Sequence, residues 1–416
     1  MCLPWQGKDG NDLPVEEIER ALYALEKNRH FSIGENKSTC SICKSMSSVV
    51  EIKEFGKTHL LCPFCLLKLR SQIIDGVQQV DRRLFPSIIE ISAHELEEIK
   101  GDVFRRIRET DRSIQDADTL KPDDFKYKDE FGKTQSYLKP YHKYLAIVQA
   151  DGDNLGETVR AVGSTKEFSG LLSKFAGEVS NLTESEFYGE PVFVGGDDIL
   201  SFMPVYCNGK SVIDYLLRIH EIYKNTLTSS GKSFPVPPSI SFGVNIFYYK
   251  YPMSLALEEA RNLLFSEAKK QPGKDALILQ LTQHSGARTK LQFSMSDNAL
   301  TDFNNILKGS IVRAASKEKY YPQAIHHKLD HFRTLLTNVG DQDRIRAFFM
   351  NEFNEQIHTK MPGLHVIENM ILESLSSESD SGGRVFIPSI DRRTDSFNEV
   401  LSRIKFIKFV VGEKND

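Results

Sequence analysis

The sequence predicts an α+β chain of 416 residues, organised around one βαββαβ unit of the ferredoxin-like kind. Three observations support this class. Apolar runs typical of strands alternate with helical periodicity between residues 144 and 281, paired cysteines precede that region, and helical spacing dominates after residue 286. We therefore predict an N-terminal helix plus zinc-ribbon module, a central α+β domain and a C-terminal helical bundle.

Composition narrows the classes of function. A net charge of −4 is low for a protein that coats nucleic acid by itself, so any RNA is expected to be held locally or by partner subunits. The sequence contains no run of 18 apolar residues, and its N-terminus shows no targeting signal. We expect a cytoplasmic protein without a membrane partner.

Four segments divide the chain. The first combines a helix over residues 15–28 with the cysteine pairs, and the second is helical and then charged without periodicity. The third is the central α+β domain and the fourth is the helical bundle. Their predicted bounds are 1–80, 81–140, 141–290 and 291–416.

The first segment carries two cysteine pairs. Cys40 and Cys43 form one Cys-x-x-Cys pair, and Cys62 and Cys65 form a second after eighteen intervening residues. Four thiolates on two tight turns suit one tetrahedral Zn²⁺ ion with no open position. We predict a structural zinc rather than a catalytic one.

Periodicity predicts the elements of the last two segments. Strands are expected at 144–150, 239–247 and 275–281, with a hairpin at 190–203, and helices at 165–182, 211–227 and 254–270. Strand signals fade after Gly286. Further helices are expected at 296–308, 322–338, 341–358, 362–375 and 396–409.

Two acidic corners interrupt the central domain. The first follows the strand at 144–150 and consists of Asp151, Gly152, Asp153 and Asn154. The second is the tip of the predicted hairpin and consists of Gly195, Gly196, Asp197 and Asp198. If the strands pair, the carboxylates converge, and like charges that close either protonate or recruit a divalent cation. Taken alone, the hairpin tip could also be a polar turn without chemistry.

Both corners lie within a longer part of the sequence that resembles a known protein family. The stretches IVQADGDNLGETV, PVFVGGDDILSF, PPSISFGVNIF and SLALEEARNLLFSEAKKQPGKDALIL occur in this order. They resemble the polymerase/cyclase palm of the large subunit of type III CRISPR effector complexes, Cmr branch, a relative of GGDEF and adenylyl-cyclase domains. The resemblance covers residues 140–285, and RLFPSIIEISAHEL at 83–96 resembles a segment that precedes this palm.

The resemblance implies a nucleotidyltransferase that uses ATP and two Mg²⁺ or Mn²⁺ ions. Asp151 would bridge the ions, and Asp197 and Asp198 would complete their ligation. Gly152 belongs to the same ion site. Asp153 could be a ligand, orient water or be structural.

The resemblance also implies nucleotide contacts. Lys269 and Lys274 match the cations with which related palms grip the β- and γ-phosphates, although this chain has one extra residue before the glycine and Lys where relatives often have Arg. A solvated basic helix end is the alternative. The remaining predicted nucleotide contacts are Asn154, Gly195 and Gly196.

Three functions remain open from the sequence. The family default is synthesis of a cyclic oligoadenylate second messenger from ATP, switched on when the guide RNA in a multi-subunit complex binds target RNA. Some relatives without an HD nuclease domain instead join ATP to S-adenosylmethionine, and a silent scaffold is the third possibility. Because the sequence contains no His-Asp dipeptide, we expect no HD nuclease. The resemblance also implies that the first palm of full-length relatives is missing, so we expect a compact or split form of the subunit.

Overall fold

A computed structural model describes most of the chain. The described residues are 39–41, 48, 50–54, 57–62, 86–99, 101, 125–162, 164–229, 234, 236–315, 324–339, 341–353, 361–375, 378–379, 385–386 and 389–412. They fall into two compact units, Met1–Phe85 and Pro86–Asp416. The helix predicted over 15–28 and most of the charged stretch before residue 125 lie outside the described residues.

The first unit contains an antiparallel hairpin of strands β1 (Val50–Glu54) and β2 (Lys57–Leu61). The Ser41 amide donates to the Leu60 carbonyl at 2.7 Å, so the chain after the buried Cys40 lies beside the strand that leads to the buried Cys62. Their predicted partners, Cys43 and Cys65, lie outside the described residues. The zinc-ribbon module therefore stays a prediction.

The second unit is organised around a six-stranded sheet. The strands of this unit are β3 Lys126–Lys128, β4 Thr134–Ser136, β5 Tyr144–Gly152, β6 Glu190–Gly195, β7 Asp198–Pro204, β8 Tyr206–Cys207, β9 Lys210–Ser211, β10 Ile240–Tyr248, β11 Ala276–Thr282, β12 Arg288–Ser294, β13 Glu378–Ser379 and β14 Val385–Phe386. The large sheet has the order β12-β11-β10-β5-β7-β6, and only β10 and β11 pair in parallel. The part β10-β5-β7-β6 has the ferredoxin-like order predicted from the sequence.

Helices cover both faces of this sheet. The described helices before the C-terminal region are α1 Ile88–Ser92, α2 Glu95–Ile99, α3 Leu155–Val162, α4 Thr165–Ser185, α5 Val212–Thr228 and α6 Met253–Asn262. Alternate residues of β5 explain why both faces are covered. Ala146 and Val148 join the core that contains α4 and α5, whereas Leu145 and Ile147 pack with residues of α1 and α6.

The C-terminal region is helical, as predicted. Its described helices are α7 Asn298–Ala315, α8 Ile325–His331, α9 Arg333–Val339, α10 Gln342–Glu352, α11 Pro362–Leu375 and α12 Ile390–Val411. Phe303 of α7 stacks on Phe293 of β12 with ring centroids 5.3 Å apart and meets Phe406 of α12 edge-on at 5.6 Å. The helices and the sheet thus share one hydrophobic core. Within the described stretches, none of the helices has the length and apolarity to cross a bilayer.

Several elements differ from the sequence prediction. The helix expected over 322–338 is two helices, α8 and α9, and α3 was not expected. Strand β12 lies where strand signals were expected to fade, and its buried Leu291 and Phe293 alternate with exposed residues. The helix expected over 254–270 is interrupted, because α6 continues into a π-helical turn, Leu263–Glu267, and a 3₁₀ turn, Ala268–Lys270. Gly243 of β10 packs closely against the π-helical turn, since a Cβ placed on Gly243 would lie 2.4 Å from the Leu264 amide nitrogen.

A buried polar cluster anchors the segment before the sheet. The Glu95 carboxylate of α2 accepts hydrogen bonds from the Tyr141 hydroxyl at 2.7 Å and from His142 Nε2 at 2.8 Å. Burial alone would raise the pKa of Glu95, but these hydrogen bonds and the charges of His142 and Lys139 lower it to about 2. The ionised carboxylate thereby fixes α2 against the turn that leads into β5.

Candidate functional site

The two acidic corners meet at one end of β5. Antiparallel pairing places Ala150 of β5 opposite Ile199 of β7, so Asp151 and Asp198 are the next residues on neighbouring strands. The tip between β6 and β7 turns through Gly196 at a φ of 72°, a conformation that glycine adopts without strain. The structure therefore brings together the two corners that the sequence singled out.

Asp151 and Asp198 are in direct contact. Burial, a hydrogen bond with the Asp151 carboxylate and the Asp151 charge raise the pKa of Asp198 to about 6. Burial also raises the pKa of Asp197, and the neighbouring Asp151 charge adds to this. Two carboxylates this close favour sharing a proton or binding a cation.

Lys269 lies at the centre of the site that the two acidic corners form together, which is called the acidic corner below. Its Nζ atom is 2.5 Å from Asp151 Oδ2 and 2.9 Å from Asp153 Oδ1, and it donates to the backbone carbonyls of Asp151 and Gly152 at 2.6 Å. Only 13% of the Lys269 side chain is exposed. The ammonium group therefore compensates the negative charge that β5 brings to this point.

Asp153 points into the protein. Its side chain is fully buried and accepts hydrogen bonds from the hydroxyls of Ser239 and Ser241, at 2.8 to 2.9 Å, and from the Asp275 amide at 3.1 Å. With Lys269 as a fourth partner, both carboxylate oxygens are occupied by donors of the protein. Of the three roles left open for Asp153, this geometry favours the structural one.

Lys274 belongs to a loop with an unusual backbone. Gly273, Lys274 and Asp275 have consecutive φ values of 79°, 55° and 50°, and only glycine adopts this region readily. Lys274 Nζ donates to Asn154 Oδ1 at 2.8 Å, and Asn154 also has a positive φ of 51°. The loop is held by Asp275, which is 2.7 Å from His220 Nε2 and accepts from the Ser296 hydroxyl at 2.6 Å.

Two glycines allow close approach at the corner. A Cβ on Gly152 would lie 2.4 Å from the Tyr223 hydroxyl oxygen and 2.8 Å from Asp197 Oδ2. A Cβ on Gly195 would lie 2.4 Å from the ring of Phe193, whose side chain is 55% exposed. Tyr223 and Phe193 were not predicted as site residues, because they lie within a predicted helix and a predicted hairpin strand.

The donor set fits a hard divalent cation. Carboxylate and carbonyl oxygens are the ligands that Mg²⁺ and Mn²⁺ prefer, and the corner offers both kinds. In the described part of the chain, no group of three or more acidic, histidine or cysteine side chains is placed to hold a metal ion. At this corner the Lys269 ammonium group contacts Asp151, and the Asp153 side chain is turned inward.

Solved structures similar to this chain come from type III CRISPR complexes. One is a type III-B Cmr-beta complex in its apo state, with a TM-score of 0.44, 11% identity and coverage of 79% of this chain and 55% of that chain. Another is a Csm1–Csm4 cassette in complex with cA4, with a TM-score of 0.33, 13% identity and coverage of 69% and 40%. The same kind of cassette with one ATP has a TM-score of 0.32, 12% identity and coverage of 68% and 39%.

Sequence comparison identifies the sheet domain. The CRISPR system Cmr subunit Cmr2 of Pyrococcus furiosus is 27% identical over 177 residues, which cover 35% of this chain and 19% of that relative. The matched region thus spans about a fifth of the relative's length. Residues 144–278 match the family described as Cas10/Cmr2, second palm domain. This match contains both acidic corners and the lysine loop, so residues 144–278 are similar to the second palm domain of Cas10/Cmr2, which confirms the resemblance inferred from the sequence.

Proposed function

We propose that this palm is a nucleotidyltransferase that converts ATP into a cyclic oligoadenylate as part of a type III CRISPR complex. The observation that carries the proposal is the convergence of Asp151, Asp197 and Asp198 at one strand end, with Lys269 and Lys274 beside them. Transfer from a nucleoside triphosphate needs carboxylates that bind the cations and ammonium groups that bind the phosphates.

Asp151, Asp197 and Asp198 would hold two Mg²⁺ or Mn²⁺ ions, with the Gly152 carbonyl as a further oxygen at the same corner. When bound, such ions polarise the α-phosphate, assist ionisation of the attacking hydroxyl and neutralise the leaving pyrophosphate. The fold fixes the positions of these three carboxylates. Pairing of β5 with β7 fixes Asp151 and Asp198, and the turn at Gly196 fixes Asp197.

The phosphates would lie towards the two lysines. The Lys274 side chain is held by its hydrogen bond to Asn154, which belongs to the first acidic corner. Its loop has positive φ values at Gly273, Lys274 and Asp275. In the reaction, the 3′-oxygen of one ATP forms a bond to the α-phosphorus of another. The bond from that phosphorus to the pyrophosphate oxygen breaks, pyrophosphate leaves, and the hydroxyl proton passes to solvent. Ring closure repeats this step between the last 3′-oxygen and the first α-phosphorus of the same chain.

The acceptor is tested by product analysis. The assembled complex, activated with target RNA, is incubated with ATP and Mg²⁺, with and without S-adenosylmethionine, and the products are identified by mass spectrometry. We expect cyclic oligoadenylate from ATP alone. A product that forms only with S-adenosylmethionine would assign the palm to ATP–S-adenosylmethionine joining, and no product under either condition would indicate a silent scaffold.

Lys274→Ala is expected to weaken ATP binding by roughly 1.5 to 3 kcal/mol, the range for a charge-assisted hydrogen bond, when binding is measured by calorimetry with Mg²⁺ present. Lys269→Ala should cause a loss of similar size, because its ammonium group is the other proposed phosphate contact. Lys270→Ala is the matched control, since this neighbouring lysine is exposed. A larger loss from Lys270→Ala than from the other two would show that the phosphate contacts are assigned to the wrong lysines.

A further inference from the structure

The hydroxyl of Tyr223 is a buried polar group that the proposed chemistry has not used. Tyr223 lies on α5 with 0% of its surface exposed. Its ring packs edge-on against Phe175 with centroids 5.1 Å apart, as expected for a core residue. Among the described residues, however, its hydroxyl oxygen has no hydrogen-bond partner. Buried hydroxyls are nearly always paired, so an unpaired one needs a reason.

This hydroxyl points into the acidic corner. The oxygen and Asp197 Oδ2 lie 2.4 and 2.8 Å from the same point, the Cβ position that Gly152 leaves empty. Burial and the charges of Asp197, Asp153 and Asp151 all raise the pKa of Tyr223 above its ordinary value. The group is therefore a neutral hydroxyl, with a proton to donate, among carboxylates that are acceptors when ionised.

A second tyrosine on the same helix shows the usual arrangement. Tyr215 is equally buried, and its hydroxyl is 2.7 Å from Thr183 Oγ1 and 3.0 Å from Ser201 Oγ. Phenylalanine would fill the space of either ring. At position 215 it would break two hydrogen bonds, whereas at position 223 it would remove only an oxygen that has no partner in the ligand-free protein. The two hydrogen bonds therefore account for the hydroxyl of Tyr215, whereas the contacts of the described residues do not account for that of Tyr223.

We propose that Tyr223 is a positioning residue for Asp197, to which its hydroxyl donates a hydrogen bond when a divalent cation is bound at the corner. The bond would hold the Asp197 carboxylate against Gly152 in the orientation that faces the cation. Gly152 has no side chain, so it leaves room for the Tyr223 hydroxyl and the Asp197 carboxylate to meet. This inference rests on the proposed function, because it requires Asp197 to be a cation ligand.

The test compares Tyr223→Phe with Tyr215→Phe in the full chain. Without cation, Tyr223→Phe should melt at the wild-type temperature or above, whereas Tyr215→Phe should melt several degrees lower. Binding of Mn²⁺ alone, followed by the electron paramagnetic resonance of the free ion, should be about tenfold weaker in Tyr223→Phe. It should stay within about twofold of wild type in Tyr215→Phe. The near-ultraviolet difference spectrum on Mn²⁺ addition should show a tyrosine band that only Tyr223→Phe lacks.

The outcomes separate this inference from the proposed function. If wild type binds Mn²⁺ and Tyr223→Phe binds it equally well, with the tyrosine band unchanged, the positioning role is wrong and the cation site stands. If wild type does not bind Mn²⁺, or if binding survives replacement of both Asp197 and Asp198 by Ala, the cation site itself is wrong. The role of Tyr223 then fails with it.

Discussion

Replacing Asp197 and Asp198 together with Ala is expected to reduce product formation by roughly a thousandfold or more, because two of the three carboxylates that would hold the cations are removed. Both residues lie at a turn on the rim of the sheet, so the palm should still fold. The measurement is pyrophosphate release from ATP by the target-activated complex. Binding of target RNA by the same complex should be unchanged.

A matched control removes the same charge elsewhere. Glu157 of α3 and Glu167 of α4 are exposed acidic residues in the first turns of palm helices. The double variant Glu157→Ala and Glu167→Ala should retain nearly full activity. Equal activity of the Asp197/Asp198 variant and the wild type would refute the corner as the catalytic site.

Gly243→Ala is expected to destabilise the second unit by about 3 kcal/mol or more. An added Cβ would lie 2.4 Å from the Leu264 nitrogen and 2.6 Å from the Ala260 carbonyl oxygen, both of them backbone atoms that cannot rotate away. Strand β10 and the π-helical turn after α6 would have to separate. Urea denaturation of wild type and variant measures the difference.

The control for this substitution is Gly177→Ala. Gly177 is exposed on α4, where an added Cβ meets no atom within 4 Å. Alanine favours a helix over glycine by about 1 kcal/mol, so this variant should be as stable as wild type or more stable. A Gly243→Ala protein that unfolds at the same urea concentration as wild type would show that the two backbones can move apart easily.

The palm could be predicted from sequence because its signals are local. Each main strand is a short apolar run, and the run that forms β5 ends directly in Asp151, so the antiparallel partner of that strand determines what Asp151 meets. Even the missed strand β12 has a local signal, the alternation of Leu291 and Phe293 with exposed residues. The zinc module remains a prediction, because Cys43 and Cys65 lie outside the described residues.

The finer geometry of the corner depends on distant parts of the chain. Lys269 and Asp151 are more than a hundred positions apart, and no periodicity indicates that the ammonium group contacts these carboxylates. The inward turn of Asp153 depends on serines of β10. The position of Tyr223 in α5 indicates a core residue, and only the fold shows that its hydroxyl lies at the corner.

The ammonium group of Lys269 is a counterion, supplied by the chain itself, for the carboxylates of Asp151 and Asp153. A palm that carries such an internal cation can fold and persist without a metal ion, so chelation should silence it without melting it. Under the proposed function, loading the site would exchange one positive charge for another. Ions that bind at the corner would displace the ammonium group from Asp151, and the released lysine would then be available to the phosphates.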